Sequence, residues 1–164
     1  MSQTGILVLL AALAAQAQHQ AHHQAEKTCM AEALYYEARG EGVRGQEAVA
    51  EVILQRTRSK AHPNSVCGVV HEPHQFSYRY DGSMQHKPDS EVWKATNALA
   101  ARILNGDLVT SMTRKAMYYH TVDVLPDWAS TMDVTARIGD HIFYRPKPPQ
   151  RISSAESAKR SSAT

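Results

Sequence analysis

The stretch Tyr35-Tyr36-Glu37-Ala38-Arg39-Gly40-Glu41-Gly42, with Gly45-Gln46 close behind, places a carboxylate where an apolar helical face runs into glycines. From Thr28 to Arg39 the positions Met30, Ala33 and Leu34 recur at helical spacing, and Gly40 and Gly42 stop the helix. Glu37 therefore closes a buried stripe beside two tyrosines and Arg39. A carboxyl group on an aromatic, partly dehydrated wall has its charged form disfavoured, so its pKa rises. Such a group stays protonated near neutrality and can donate its proton to a glycosidic oxygen. The competing reading is a solvated charge at a helix end. Arg39 either binds substrate or pairs with a nearby carboxylate. Glu41 would share a face with Glu37 only if the helix continued; after Gly40 it reads as a solvent-facing residue or a cap for the next helix.

Beyond this break, Gly45 to Arg58 predicts a second helix with Val49, Val52, Ile53 and Arg56 on one face and Glu47, Glu51 and Gln55 opposite. Ser65 to Val70 is a short helix or strand, and Gln75 to Tyr78 a brief extended piece before the loop Asp81-Gly82-Ser83. A third helix is expected from about Asp89 to Leu104, its buried side formed by Val92, Trp93, Ala95, Ala98, Leu99, Ile103 and Leu104, with Asn105-Gly106 closing it. Ala116 to His120 reads as a strand. Val134 to Ile138 and His141 to Tyr144 form a hairpin about Gly139-Asp140, whose glycine needs a positive φ. Helices followed by a small antiparallel sheet make an α+β domain.

Apolar residues at 43% and charged residues at 21% in a chain of 164 allow one packed domain. Between Lys27 and Arg145 acidic and basic residues are equal in number, so the formal charge of +2 arises in the tail at Lys147, Arg151, Lys159 and Arg160. A neutral body excludes nucleic acid as the main ligand. Residues 5–15 (GILVLLAALAA) with Ala15-Gln16-Ala17 resemble an export segment. We read residues 1–17 as a signal peptide or signal-anchor able to touch the membrane transiently through 5–17, 18–26 as a His/Gln-rich spacer, 27–145 as the folded body, and 146–164 as a disordered basic tail. Export to the periplasm or cell wall fits an even cysteine count, which favours a Cys29–Cys67 bridge; two buried free thiols are the alternative.

Tyr78, Tyr118, Tyr119, His120 and Trp128 form a polar-aromatic set suited to sugar faces and equally to core filling. His120, Asp140 and His141 have no metal-motif spacing, and neither Gly-x-Ser-x-Gly nor a phosphate-binding glycine loop occurs, so no metal or cofactor is expected.

Several segments in order resemble the SleB/CwlJ-type cell-wall hydrolases. They are 31–41 (AEALYYEARGE), 45–50 (GQEAVA), Gln55-Arg56, 63–70 (PNSVCGVV), 75–78 (QFSY), Tyr119-His120, 126–129 (PDWA) and 138–144 (IGDHIFY). The match spans about Cys29 to Arg145. It implies a compact lysozyme-like α+β domain acting on peptidoglycan, most simply a lytic transglycosylase in which Glu37 is acid and then base. It places Gln75, Ser77, Tyr119, His120 and Trp128 in matched segments, as candidates for positioning substrate. A hydrolytic muramidase using Glu41, an amidase and a non-catalytic glycan-binding module stand beside this reading. A phage lysis enzyme and a bacterial wall-remodelling enzyme both fit, and a monomer is expected.

Overall fold

Gly42, at φ +66°, turns the chain between two helices that pack on each other and hold Glu37 at their junction. The computed structural model describes residues 3–85, 88–107 and 111–148. Helix α1 (Gln3–Ala38) leads through a 3-10 turn (Arg39–Glu41) into α2 (Gly42–Thr57). The short α3 (Val66–Val70) and α4 (Ser90–Leu104) follow. Strands β1 (Tyr118–Thr121), β2 (Met132–Ile138) and β3 (His141–Pro146) form an antiparallel sheet in the order β1-β3-β2. This is the expected α+β architecture.

The apolar stripes account for the core. Met30, Ala33 and Leu34 of α1 meet Val49 and Ile53 of α2, Val69 and Val70 of α3, and Leu99, Ala100 and Ile103 of α4, with Phe76 sealed among them. Val49, Val52, Ile53 and Arg56 are all buried, as their spacing predicts. Helix α4 is rotated from its expected face. Thr96, Leu99, Ala100 and Ile103 are buried, Trp93 and Leu104 are half-buried, and Val92, Ala95 and Ala98 are exposed. Thr96 fits the core because its hydroxyl donates to the Val92 carbonyl within the helix. Asp89 caps α4 by accepting from the Glu91 and Val92 amides, and Gly106 closes it at φ +79°.

Two other expectations are corrected. Helix α1, expected from Thr28, begins at Gln3 and is 36 residues long, running through residues 18–26, because Gln, Ala and His interrupt helical geometry nowhere. Glu26, at the end of that stretch, belongs to the packed body: its carboxylate accepts from the Val66 and Cys67 amides at the start of α3. Nearby, Cys29 and Cys67 are joined, with a Cα–Cα separation of 5.2 Å. The piece read as extended at Gln75–Tyr78 is extended only at Phe76, and Ser77–Arg79 forms a 3-10 turn. Upstream of residue 25 the helix is exposed, including Ile6 to Leu10 and Leu13, and no helix among the described residues is long and apolar enough to cross a membrane. Beyond residue 148 the expected tail lies outside the described residues.

Strand parity decides what the sheet presents. Tyr119 pairs with Phe143 and packs with Ala116 and Ile138 towards Ala48 and Val52 of α2. Tyr118 and Ile142 lie on the other face with Ala129, Trp128 and Tyr144. The Gly139-Asp140 hairpin forms as read, with Gly139 at φ +56°.

Candidate active site

Glu37 sits in the last turn of α1, half-buried, with its Oε2 accepting a 3.0 Å hydrogen bond from the Tyr119 hydroxyl. That is the only hydrogen bond to this carboxyl among the described residues. Oε1 accepts no hydrogen bond among the described residues. Burial pushes the Glu37 pKa up; the Tyr119 hydrogen bond pulls it down, the charge of Asp81 adds to the rise, and that of Arg56 opposes it. One oxygen is therefore fixed and the other can carry a proton to a ligand. Burial and the Glu37 charge hold the Tyr119 phenol well above its ordinary value, so it stays a donor.

The walls are aromatic, as the sequence suggests. Tyr36 stacks on Tyr78 at 4.8 Å, and Tyr35 meets Tyr36 and Trp93 edge-on. The Tyr35 hydroxyl accepts from the Asp89 amide, tying α4 to this end of α1. Across the wall Arg79 lies 3.8 Å from Glu32.

Arg56 and Asp81 were not singled out from sequence. Arg56 is 4% exposed, donates from Nε to the Met117 carbonyl, and lies 5.8 Å from the Phe76 and Tyr118 rings. A cation on an apolar stripe was the signal, since a buried charge requires partners. Asp81 is exposed and held below the usual carboxylate range by Ser83, so it stays ionised near Glu37. Its loop is pinned because the Ser77 carbonyl accepts from the Tyr80 and Asp81 amides.

The other sequence-predicted residues divide. Tyr119 meets Glu37, but as a donor to the carboxyl. Arg39 lies over the Tyr35 ring at 5.0 Å and forms no ion pair among the described residues, so the carboxylate pairing considered for it does not occur. Gln75 and Ser77 are exposed beside the Tyr78 wall. His120 and Trp128 are brought to the opposite sheet face: His120 bonds the Tyr144 hydroxyl at 2.8 Å, and Trp128 packs on Tyr118, His120 and Tyr144. No group of three or more potential metal ligands occurs among the described residues.

Glu41 stands at the N-cap position of α2, but its side chain caps no amide of that helix and is largely withdrawn from solvent. Its side chain crosses to the hairpin, where Oε2 accepts from the Asp140 amide at 2.8 Å and Oε1 lies 4.0 Å from His141 Nδ1. Burial holds His141 below its ordinary pKa, against the pull of Glu41 and Asp140. Gly139 and Gly45 make room for Glu41; a Cβ on either would strike it, and Gly139 also needs its positive φ. Gly139→Ala should therefore cost about 2–3 kcal/mol in urea unfolding. Gly40→Ala, with nothing within 4 Å of its Cβ, should cost far less. Equal costs would contradict this role for Glu41.

The cell wall hydrolase family profile matches residues 40–144, beginning just past Glu37. The chain belongs to the cell wall hydrolase family. It is 39% identical over 115 residues to the spore cortex-lytic enzyme of Bacillus cereus, covering 70% of this chain and 42% of that protein. It is 37% identical over 115 residues to the enzyme of the same name from Bacillus subtilis, covering 70% of this chain and 35% of that protein. The chain thus spans less than half the length of these relatives. Its fold matches the catalytic domain of the Bacillus cereus SleB protein with a TM-score of 0.59 and 37% identity, over 74% of this chain and 91% of that one. The catalytic domain of the germination-specific lytic transglycosylase SleB from Bacillus anthracis matches with a TM-score of 0.59 and 36% identity, over 73% and 93%.

In this setting Tyr119→Phe separates positioning from packing. It keeps the ring against Phe143 and His141 but removes the bond that lowers the Glu37 pKa. With Glu37 as the acid, the role proposed for it below, the alkaline limb of the rate profile should move to higher pH. The limiting rate should fall about tenfold, on the order of one hydrogen bond to a charged group. An unmoved limb would contradict the assignment.

Proposed function

We propose that this chain cleaves the glycosidic bond between N-acetylmuramic acid and N-acetylglucosamine in peptidoglycan, as a lytic transglycosylase with Glu37 as its acid and base. The observation that carries this reading is the Glu37 carboxyl itself, raised in pKa by burial and held at Oε2 by the Tyr119 hydroxyl, in a chain similar to the catalytic domain of a lytic transglycosylase. Protonated Glu37 gives its proton to the bridging oxygen as the bond to muramic C1 breaks. The muramic C6 hydroxyl closes on C1, and its proton returns to the Glu37 carboxylate, leaving a 1,6-anhydro end and a regenerated acid. One carboxyl suffices. The attachment of Glu41 to the hairpin favours this over a muramidase that uses Glu41 as its second carboxylate.

A second reading rests on Asp81. An exposed, ionised carboxylate whose charge reaches Glu37 could activate water and make the enzyme a hydrolase. Mass spectrometry of fragments released from purified sacculi tests the proposal. Disaccharide peptides lighter by one water than reducing ones support it; reducing sugars point to Asp81, and freed stem peptides to an amidase. Release of nothing by an intact protein would favour a glycan-binding module.

Export to the periplasm or cell wall follows from such a substrate, in a phage lysis enzyme or a bacterial one. The exposed apolar turns at Ile6 to Leu13 support residues 1–17 as the export segment, with brief membrane contact through 5–17; a monomer is the working form of this proposal. Gln75, Ser77 and Arg39, exposed near the aromatic wall, are the residues we assign to substrate contact; Tyr119 acts through Glu37.

A further inference from the structure

A second concavity of about 620 Å³ runs along the outer side of α2, separate from Glu37, and its rim is basic. Arg58, Arg114, Lys115 and Arg145 line it with Glu47 and Glu51. The Glu51 carboxylate is turned inward, accepting from the Met112 and Thr113 amides and the Thr113 hydroxyl, so of the two lining carboxylates Glu47 is the one that faces Arg58, Arg114 and Lys115. Arg145 lies 3.8 Å from Asp133; Arg58, Arg114 and Lys115 enter no ion pair among the described residues.

Backbone conformation gives the independent observation. Arg114 and Lys115 are consecutive non-glycine residues at φ +50° and +65°. Glycine and asparagine adopt this region far more readily than long side chains do. The pair is pinned on both sides, by Thr113 at 1% exposure and by Ala116 at 0%. Strained residues persist where surrounding structure fixes them, and they cluster at ligand sites. Here two exposed cations occupy positions whose geometry suits glycine or asparagine, so the charge accounts for the residue types.

The geometry points to a peptidoglycan-holding exosite in this groove that binds the carboxylates of stem peptides. This rests on peptidoglycan as the substrate. The amino-sugar backbone gives a cationic groove little to grip, whereas stem peptides place carboxylates at regular intervals along it. Guanidinium groups match carboxylates in geometry. An exosite on α2 would hold the polymer while Glu37 acts elsewhere on it.

The test uses the full chain carrying Glu37→Gln, so that sacculi stay intact during binding. Retention on sacculi is compared with and without Arg114→Asn and Lys115→Asn, which remove both charges while suiting the backbone. The proposal expects the Asn pair to melt no lower than its parent and to bind about tenfold more weakly at low salt, a loss that shrinks as salt rises. It also expects carbodiimide amidation of the stem-peptide carboxylates to weaken the parent equally. Unchanged binding by the Asn pair overturns the exosite. Binding indifferent to amidation, but lost when phosphodiester polymers are stripped with hydrofluoric acid, overturns the stem-peptide assignment. Fragment release by the wild-type chain is measured in parallel, so failure of the peptidoglycan reading is seen separately.

Discussion

Glu37→Gln lowers glycan cleavage by about 10²–10⁴-fold, at the upper end if one carboxyl serves both proton transfers. The substitution is nearly isosteric, and the Tyr119 hydroxyl can still donate to the amide oxygen, so the site keeps its shape. Stability should move the other way. Burial raises the Glu37 pKa, so the stability this group supports is present below its unfolded pKa and is lost as pH rises through the folded one. A neutral amide escapes that loss, and the variant should melt no lower than wild type at neutral pH and relatively higher as pH rises. Catalytic groups commonly trade stability for function in this way. Cleavage assays beside thermal melts check it, and a variant keeping more than a tenth of the wild-type rate would remove Glu37 from the chemistry.

Removing the Cys29–Cys67 bridge has the largest expected effect on stability. Its sequence separation is 38, and closing such a loop stabilises by about 4 kcal/mol in the chain-entropy model. For a folded body of this size that corresponds to a melting temperature lower by on the order of 15 °C. The bridge joins α1 to α3 beside the Glu26 carboxylate, which holds the Val66 and Cys67 amides. The two attachments therefore act on one contact, and the cost of Glu26→Ala should differ in oxidised and reduced protein. A Cys29→Ala, Cys67→Ala variant within a few degrees of wild type would show that packing alone holds α3.

The helical part of this fold is legible because apolar period and capping chemistry agree, as at Val49, Val52, Ile53 and the Asp89 cap. Helix α4 turns a different face inward from the one its pattern suggests, because alanine carries almost no facial information: Ala95 and Ala98 are exposed, while Thr96 is buried with its hydroxyl satisfied by Val92. Glu37 could be read from its aromatic neighbours, but its partners could not. Tyr119 and His120 are adjacent in sequence, yet strand pleating sends one towards Glu37 and the other to Tyr144 and Trp128. Which parity faces the helices depends on pairing with β3, a long-range fact. Glu41 looked solvated because its partner, the Asp140 amide, lies 99 residues away, although the glycines that admit it, Gly45 and Gly139, were both visible. Arg56 had a readable signal, a cation on an apolar stripe, whereas nothing local marked Asp81.

The most direct test of the account is cleavage of purified peptidoglycan glycan strands in water enriched in oxygen-18. Attack by the muramic C6 hydroxyl, with Glu37 returning the proton, incorporates no solvent oxygen, so every new muramic end should be unlabelled and anhydro. Labelled reducing ends made by the wild-type chain would contradict a transglycosylase and assign the second half of the reaction to water, with Asp81 as its base.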